Sequence, residues 1–194
     1  MSRFRVFCCV LAAALLASCA TLKPPPRGPQ EPSRLLAGRG IKSTAALSSF
    51  FLAFNPEANV YQVDRLADYY VAEGAVEGIN SDVAFAQMCL ETGFLRFGGL
   101  VTPDMHNYCG LGAIDADHPG ERFPSEELGV RAHIQHLQAY TLTTPLRGDL
   151  IDPRYTYVQP RGKARDVWDL AGTWAADLAY GDKLDSLLSA LARF

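Results

Sequence analysis

The 194-residue sequence has little of several features that mark common classes of protein. Basic residues are in the minority, with 18 Lys and Arg against 21 Asp and Glu, so the formal net charge is −3. Proteins that bind nucleic acid usually carry a basic surface, and this composition argues against such a partner. Only four histidines occur, none of them in a His-Glu-x-x-His zinc pattern. We therefore predict no metal, no cofactor and no nucleic-acid partner.

The sequence has one extended apolar run, at its amino terminus, and it is too short to span a bilayer as a mature helix. Residues 7–16 follow Arg3 and Arg5 and lead into Leu-Ala-Ser-Cys. A basic segment, a short apolar segment and small residues are typical of a secretory signal. Cys19 directly after Leu-Ala-Ser resembles a bacterial lipobox, so residues 1–18 are predicted to be a lipoprotein signal peptide. An ordinary signal peptide cleaved nearby is the alternative.

The next segment, residues 19–42, begins with Cys19 as the predicted lipidated residue. It is rich in proline, a composition typical of an extended, semi-rigid tether. Residues 43–194 are long enough for one domain with a single core, and no internal repeat divides them. Removing residues 1–18 would remove two arginines and no acid, which lowers the net charge from −3 to −5. We expect an exported monomer, lipid-anchored to a bacterial membrane and facing the periplasm or cell wall.

Cysteine use agrees with export. Of five cysteines, Cys8 and Cys9 would leave with the signal and Cys19 would carry lipid, so two remain in the domain. Cys89 and Cys109 could form a disulfide in an oxidising compartment. Alternatively, Cys89 is a small buried hydrophobic residue and Cys109 takes the place of an aromatic one.

Hydrophobic periodicity predicts a mainly α domain. Predicted caps are Ser81, Ser125 and Asp166, and the prolines between residues 144 and 165 predict a loop. Strand signal is confined to residues 108–114 and 122–123. A small β or irregular lobe therefore accompanies helices predicted over residues 44–54, 60–76, 82–94, 167–175 and 182–192, with another starting at residue 126.

Glu91 is the candidate acid. In a helix over residues 82–94 it falls on a stripe with Met88 and Leu95, at the edge of the core. Partial burial and the negative end of the helix dipole both raise a carboxyl pKa, as a general acid near neutral pH requires. A solvated helix-terminal glutamate is the alternative interpretation.

Residues 90–94 (LETGF), followed by residues 107–113 (NYCGLGA), resemble the glucosaminidase domain of glycoside hydrolase family 73. Residues 122–137 and 174–180 are also similar to that family, and together the motifs span roughly residues 44–193. The resemblance implies a bacterial peptidoglycan hydrolase with a lysozyme-like helical fold. It also implies that Glu91 is the catalytic acid.

A second carboxylate is the usual partner of the acid in glycoside hydrolysis. Many family relatives supply it from a Thr-Thr-Glu-Tyr segment, which this chain lacks. We favour Glu121, because it precedes Phe123 at the mouth of the predicted lobe; the substrate's own N-acetyl group is an alternative nucleophile. The other candidates are Asp115, Asp117 and Glu126.

Sugar recognition calls for aromatic rings and amides. Tyr180 follows a segment similar to the family's Ala-Thr-Asp-Pro-x-Tyr, which implies that its hydroxyl lies near the acid. This chain departs from that pattern at Leu178, where proline is usual, and at Trp174, where tyrosine is common. Core packing is the alternative for each aromatic. The predicted substrate-binding residues are Asn107, Tyr108, Phe123 and Tyr180.

Taken together, the resemblance implies an endo-β-N-acetylglucosaminidase that acts on peptidoglycan glycan strands. A non-catalytic peptidoglycan-binding lipoprotein is the alternative, followed by a cell-wall amidase or a muramidase. His133 and His136 lie three residues apart, as zinc ligands can, but we interpret them as polar residues on a helix face. Cys109 with His118 would suggest a papain-like peptidase, yet the thiol does not begin a predicted helix that would lower its pKa.

Overall fold

The computed structural model describes residues 30–194, and its helices confirm the mainly α prediction. The predicted signal peptide and Cys19 lie outside the described residues. Among residues 30–194, no helix combines the length and apolarity that a bilayer-spanning helix requires. The helices of this part are α1 Thr44–Phe54, α2 Val60–Glu77, α3 Ser81–Glu91, α4 Glu126–Thr141 and α5 Tyr180–Leu191, and its two strands are β1 Ala113–Asp115 and β2 His118–Pro119.

Helix α3 lies at the centre of the domain. It contacts α1, α2, α4 and α5, and every residue from position 81 to 89 is buried. A helix that is covered on all sides must satisfy its polar side chains internally, because an unpaired polar group in a core is costly. Asp82 and Gln87 are two such side chains, and both are hydrogen-bonded. Glu91, the last residue of α3, is where the buried helix reaches the surface.

The helix beginnings follow from capping side chains. Ser43, Asn59 and Ser125 accept backbone N–H groups of α1, α2 and α4, at the positions that the sequence predicts for α1 and α4. For α3 the prediction is wrong by one residue, because Asn80 rather than Ser81 is the cap. Asn80 also donates to the carbonyls of residues 33 and 35, so this cap joins the helix to the chain before α1.

The end of α3 also differs from the prediction, since the helix stops at Glu91 and not at residue 94. Residues 93–95 all adopt positive φ angles, including Phe94 at 56°. The Phe94 ring stacks on Phe54, with centroids 4.7 Å apart, and Asn55 donates to the Phe94 carbonyl. Contact with α1 therefore offsets the cost of a left-handed turn and ends α3 early.

The last part of the predicted tether belongs to the folded domain. Leu36 is fully buried, donates its N–H to the Arg165 carbonyl and accepts from the backbone N–H of Asn80. The Asp82 carboxylate accepts the N–H of Ile41 at 2.8 Å. A proline-rich composition does not prevent docking where side chains find a core, so the tether prediction for residues 19–42 is corrected at its carboxyl end.

The small lobe is shorter and more irregular than predicted. Antiparallel strands β1 and β2 pair at Ala113 with Pro119, while residues 108–112, predicted as strand, form a turn. The segment predicted as a helix over residues 167–175 is a single 3₁₀ turn, Val167–Leu170, with Asp166 as its cap. A Cβ atom at Gly129 would lie 1.8 Å from the His106 carbonyl oxygen, so the first turns of α4 approach the loop that leads into the lobe.

Candidate active site

The candidate site is an open cleft at the end of α3. Glu91 lines a cavity of about 190 Å³ together with Thr92, Phe97 and residues 99–101. A second cavity of about 190 Å³ shares Gly110 and Ala113 with it and extends to four larger side chains. Ligand pockets usually measure roughly 300–1,000 Å³, so a ligand of that usual size would occupy both cavities. The four larger side chains are His136, Tyr140, Arg154 and Trp174.

The two carboxylate oxygens of Glu91 have different surroundings. Oε1 accepts hydrogen bonds from the Tyr180 hydroxyl and from Nε1 of Trp174, the latter at 3.3 Å. Oε2 lies beside the turn before β1, because a Cβ atom at Gly110 would be 3.9 Å from it. Oε2 accepts no hydrogen bond from residues 30–194, so it is the oxygen free to meet a ligand in the cleft.

The pKa of Glu91 is raised above its usual range. Burial against α5 and the Trp174 loop raises it, and this effect exceeds the lowering by the hydrogen bonds from Tyr180 and Trp174. The residue is nevertheless exposed as a whole, since its Oε2 side opens onto the cleft. The Oε1 side is enclosed by Tyr180 and Trp174, so burial there outweighs the exposure of Oε2. A raised carboxyl pKa is what a general acid needs, as the sequence predicts.

Behind Glu91, a chain of hydrogen bonds runs into the core. The Tyr180 hydroxyl accepts from Nε2 of Gln87 at 2.9 Å, and Oε1 of Gln87 lies 3.1 Å from Nε2 of His133. Nδ1 of His133 lies 2.8 Å from the Tyr70 hydroxyl. Gln87, His133 and Tyr70 are fully buried. The residues joined by these hydrogen bonds come from α2, α3, α4 and α5. We call the five residues that these hydrogen bonds join the buried chain: Tyr70, His133, Gln87, Tyr180 and Glu91.

His133 is a core residue, so its interpretation as a polar residue on a helix face is wrong. Burial, and secondarily the nearby His136, lowers its pKa to about 3, so it is neutral near pH 7. Both ring nitrogens already have partners in the buried chain, whereas Nδ1 of His136 contacts Asp152 at 2.7 Å. Within the described part of the chain, no group of three or more His, Cys, Asp or Glu is placed to hold a metal ion.

The disulfide prediction is wrong, because Cys89 and Cys109 are both free thiols in the structure. Both are buried, as the alternative interpretation requires. Burial raises the pKa of each thiol well above its usual value, and the negative charge of Glu91 adds to the effect at Cys109. Cys109 is therefore protonated near neutral pH, and His118 at the start of β2 is held by Asp115 at the end of β1.

Asn107 shapes the cleft but offers no free amide to a sugar. Its Nδ2 donates to the carbonyls of Leu111 and Glu121, at 2.9 and 3.0 Å, and its Oδ1 accepts the N–H of Leu111 at 2.9 Å. The side chain is 1 % exposed. Asn107 lines the Glu91 cavity, and with its donors and acceptor already used it holds the turn that carries Gly110. Direct substrate binding by Asn107 stays a prediction.

Two of the predicted substrate-binding aromatics lie in the core. Tyr108 is 1 % exposed and belongs to the main core, and Phe123 is 6 % exposed in a smaller cluster with Cys109, Leu111 and Ala132. Burial of their large apolar rings stabilises the lobe against α4, so neither ring is available for stacking on a sugar. The prediction is wrong for both, and the alternative of core packing holds.

Tyr180 contacts the acid as the resemblance implies, and the sequence reasoning missed two further neighbours. Trp174, noted only as a departure from the family pattern, donates to Glu91, and its ring packs 5.1 Å from that of His136. For Gln87, the sequence does predict that it lies near Glu91, since it is four residues earlier and so shares its helix face. Neither role follows from composition, because both depend on where α5 and the loop before it pack.

The structure does not bring the predicted second acid next to Glu91. Glu121 lines neither cavity, and its carboxylate lies 4.0 Å from Nη1 of Arg154. Glu126 is paired with an arginine of α2 at 2.9 Å, and Asp115 accepts backbone N–H groups of its own turn. Among the residues lining the two cavities, Glu91 is the one carboxylate.

A helical, lysozyme-like domain with a glutamate at the mouth of a cleft is the arrangement expected of a glycoside hydrolase, and the family comparison shows that class. The family model for glucosaminidase, described as mannosyl-glycoprotein endo-beta-N-acetylglucosaminidase, matches residues 67–193. The chain therefore belongs to the glucosaminidase family, as its resemblance to glycoside hydrolase family 73 implies.

Other proteins are similar to this chain in sequence or in fold. It is 38 % identical over 159 residues to an uncharacterized protein of Borreliella burgdorferi, which covers 82 % of this chain and 78 % of that one. Two solved structures of S. aureus autolysin E, both 12 % identical, match 84 % of this chain and 72 % of theirs. One is in complex with the muropeptide NAM-L-Ala-D-iGlu (TM-score 0.50), and the other is a catalytic mutant in complex with the disaccharide NAG-NAM (TM-score 0.51). At this identity the likeness shows the lysozyme-like fold alone.

Proposed function

We propose that this protein is an endo-β-N-acetylglucosaminidase that cleaves β-1,4 bonds in peptidoglycan glycan strands, with Glu91 as general acid. The observation that carries the proposal is the asymmetry of the Glu91 carboxylate, with Oε1 held by two donors and Oε2 open to the cleft. Family membership supports a glycosidase, and the peptidoglycan fragments bound to autolysin E support this substrate class.

The proposed chemistry begins at Oε2 of Glu91. A proton on this atom would pass to the glycosidic oxygen as the neighbouring ring gains oxocarbenium character. Glu91 then becomes a carboxylate, and the Tyr180 hydroxyl and the Trp174 N–H stabilise that charge through Oε1. Both donors are in place before the reaction, so little reorganisation is needed when the charge develops.

For the second group, the absence of another carboxylate from the two cavities supports a nucleophile supplied by the substrate's own N-acetyl group. Glu121 stays the protein candidate, but it would have to leave Arg154 and reach across the turn at Gly112. The variant Glu121→Gln distinguishes the two. Activity within about threefold of wild type supports assistance by the N-acetyl group, and a loss of about 100-fold or more assigns the role to Glu121.

We also propose that the domain acts from a membrane anchor at Cys19, which is supported by the sequence pattern of residues 7–19. The full-length chain should partition with membranes, and Cys19→Ala should remain an unprocessed precursor that incorporates no labelled fatty acid. Equal incorporation by both chains would refute the assignment of Cys19.

The test of the enzyme uses residues 30–194, because the chain from residue 33 onward is packed on the domain. Peptidoglycan is digested, the products are reduced with borohydride, and new reducing ends are identified by mass spectrometry. We expect new N-acetylglucosaminitol ends from the wild type. Glu91→Gln should reduce their rate of formation about 10²- to 10⁴-fold, the usual contribution of a general acid. Glu57→Gln, at an exposed acid between α1 and α2, is the matched control.

Other products would identify other activities. New muramitol ends would show a muramidase on the same fold, and released peptides would show an amidase. Full activity of Glu91→Gln would refute the role of this residue. If the wild type forms no product but sediments with peptidoglycan, the protein is instead a non-catalytic binding module.

A further inference from the structure

The buried chain behind Glu91 has a defined direction. Tyr180 has one hydroxyl hydrogen and donates it to Oε1 of Glu91, so its oxygen accepts from Nε2 of Gln87. The amide oxygen of Gln87 then faces His133 and must accept, which places the single proton of the neutral imidazole on Nε2. Nδ1 of His133 is left as an acceptor for the Tyr70 hydroxyl. Every donor therefore points towards Glu91.

Tyr70 is the residue that fixes this direction. Its hydroxyl is fully buried, and Nδ1 of His133 is its hydrogen-bond partner among residues 30–194. If the chain ran the other way, His133 would donate from Nδ1 and the Tyr70 proton would be left in the core without an acceptor. An unpaired buried donor is costly, so the observed direction is favoured.

The direction matters for the acid because it decides which oxygen of Glu91 can carry the proton. While Tyr180 donates to Oε1, the acid proton resides on Oε2, beside Gly110 and the cleft. In a reversed chain, Gln87 would present its amide oxygen to Tyr180, and the hydroxyl would donate to Gln87 instead. Oε1 could then hold the proton, directed away from a substrate.

We propose that Tyr70, His133 and Gln87 are positioning residues, which keep Tyr180 as a donor to Oε1 of Glu91 and so confine the acid proton to Oε2. This inference rests on the proposed role of Glu91 as general acid. It adds three residues that lie in the core and line neither cavity of the cleft.

The titratable groups packed about Glu91 come from each neighbouring element. They are Tyr180 on α5 and Cys109 in the turn before β1, and farther along the buried chain Tyr70 on α2 and His133 on α4. His136, paired with Asp152 at 2.7 Å, lies on the other side of Trp174. Burial keeps the tyrosine hydroxyls and the thiol protonated and His133 neutral. Among these groups, the charge that changes near neutral pH is therefore that of Glu91, whose pKa is raised by burial.

The test is Tyr70→Phe in residues 30–194, which removes the hydroxyl and keeps the ring against Phe85 and His133. We expect kcat to fall about five- to tenfold with KM within about twofold, because the interaction acts on the reacting carboxylate and not on substrate binding. Activity requires protonated Glu91 and is lost as the pH rises through its pKa. Fewer hydrogen bonds to the carboxylate raise that pKa, so the alkaline limb of kcat/KM should move about half a unit to higher pH.

The matched control is Tyr155→Phe, which removes a hydroxyl that donates to Oε1 of Gln138 at 2.8 Å, outside the buried chain. It should leave kcat and the pH profile unchanged. An active Tyr70→Phe variant with wild-type kcat and an unmoved alkaline limb would overturn the positioning role.

A second measurement is independent of activity. ¹⁵N NMR of the His133 ring in the wild-type domain should show a neutral imidazole protonated at Nε2, and Tyr70→Phe should increase the population protonated at Nδ1. A wild-type ring protonated at Nδ1 overturns the proposed direction of the chain. Failure of the proposed function can be told apart from failure of this inference. If the proposed function fails, wild type and Glu91→Gln both form no glycan product, while the His133 tautomer can still be measured.

Discussion

Tyr180→Phe is the most direct perturbation of the candidate acid. It removes one oxygen atom, which donates to Oε1 of Glu91 and accepts from Nε2 of Gln87. Oε1 then keeps the Trp174 N–H at 3.3 Å as its hydrogen bond, and the buried amide of Gln87 loses a partner. The ring itself remains in the core, where Tyr180 is 5 % exposed. The variant therefore separates the hydroxyl from the packing of α5.

The size of the effect follows from the two hydrogen bonds that are lost. A bond to a charged acceptor is worth roughly 1.5–3 kcal/mol, and we take the lower end because solvent reaches Glu91 from the cleft. About 1.4 kcal/mol corresponds to one pH unit, so the pKa of Glu91 should rise by about one unit. The weaker acid also leaves a less stabilised carboxylate after proton transfer, which should lower kcat about tenfold. The unpaired Gln87 amide should lower the free energy of unfolding by about 1–3 kcal/mol.

The assay is kcat/KM against pH on purified glycan strands, with urea unfolding of the same samples. Because the acid acts in its protonated form, a higher pKa should move the alkaline limb to higher pH, even as the maximal rate falls. An alkaline limb that stays in place, or moves to lower pH, would show that Tyr180 does not donate to the reacting carboxylate. Tyr155→Phe should lower the unfolding free energy by less, because Oε1 of Gln138 keeps Arg161 as a donor at 2.8 Å, and it should leave the pH profile unchanged.

Two further predictions concern the scaffold. Leu36→Ala should lower the free energy of unfolding, measured in urea, by about 2–5 kcal/mol, because it empties a fully buried site. Leu35→Ala, at a 47 % exposed side chain, should lower it by less than about 1 kcal/mol. Equal losses of stability would show that residues 33–42 do not dock. Gly129→Ala should cost about 1–3 kcal/mol and reduce hydrolysis, because its Cβ would collide with the His106 carbonyl that leads into the lobe. Gly99→Ala, where a Cβ meets nothing within 4 Å, should leave the unfolding free energy within about 0.5 kcal/mol of wild type, and the same result for Gly129→Ala would contradict the packing argument.

Local signals account for the parts of the fold that the sequence predicts. The start of α1 follows from Ser43, its end from Asn55 and the proline after it, and the start of α4 from Ser125, because each signal acts within one turn of its own residue. The end of α3 is missed because the left-handed turn at Phe94 depends on a ring of α1 about 40 residues away. The docking of Leu36 is missed for the same reason, since its partners lie near residues 80 and 165.

The candidate site, like the fold, is predicted correctly in some residues and wrongly in others. Glu91 and the contact with Tyr180 are identified from short motifs in a given order. Asn107, Tyr108 and Phe123 belong to those motifs too, yet a motif does not say whether a side chain faces the cleft or the core. The backbone of the turn decides this, and it directs Asn107 to its own loop and the two rings inward.

The position of Gln87 shows why the core and the site cannot be explained separately. Gln87 and Glu91 lie four residues apart on α3, so one helix face carries a polar side chain in the core and an acid at the surface. An apolar residue in place of Gln87 would fill the core without requiring His133 and Tyr70 as partners, and such replacements of buried polar groups are often neutral or stabilising. Stability alone therefore gives little reason for a fully buried glutamine, histidine and tyrosine to meet here. Their shared end point at the Glu91 carboxylate does give a reason, since it links a rigid core to the orientation of one proton.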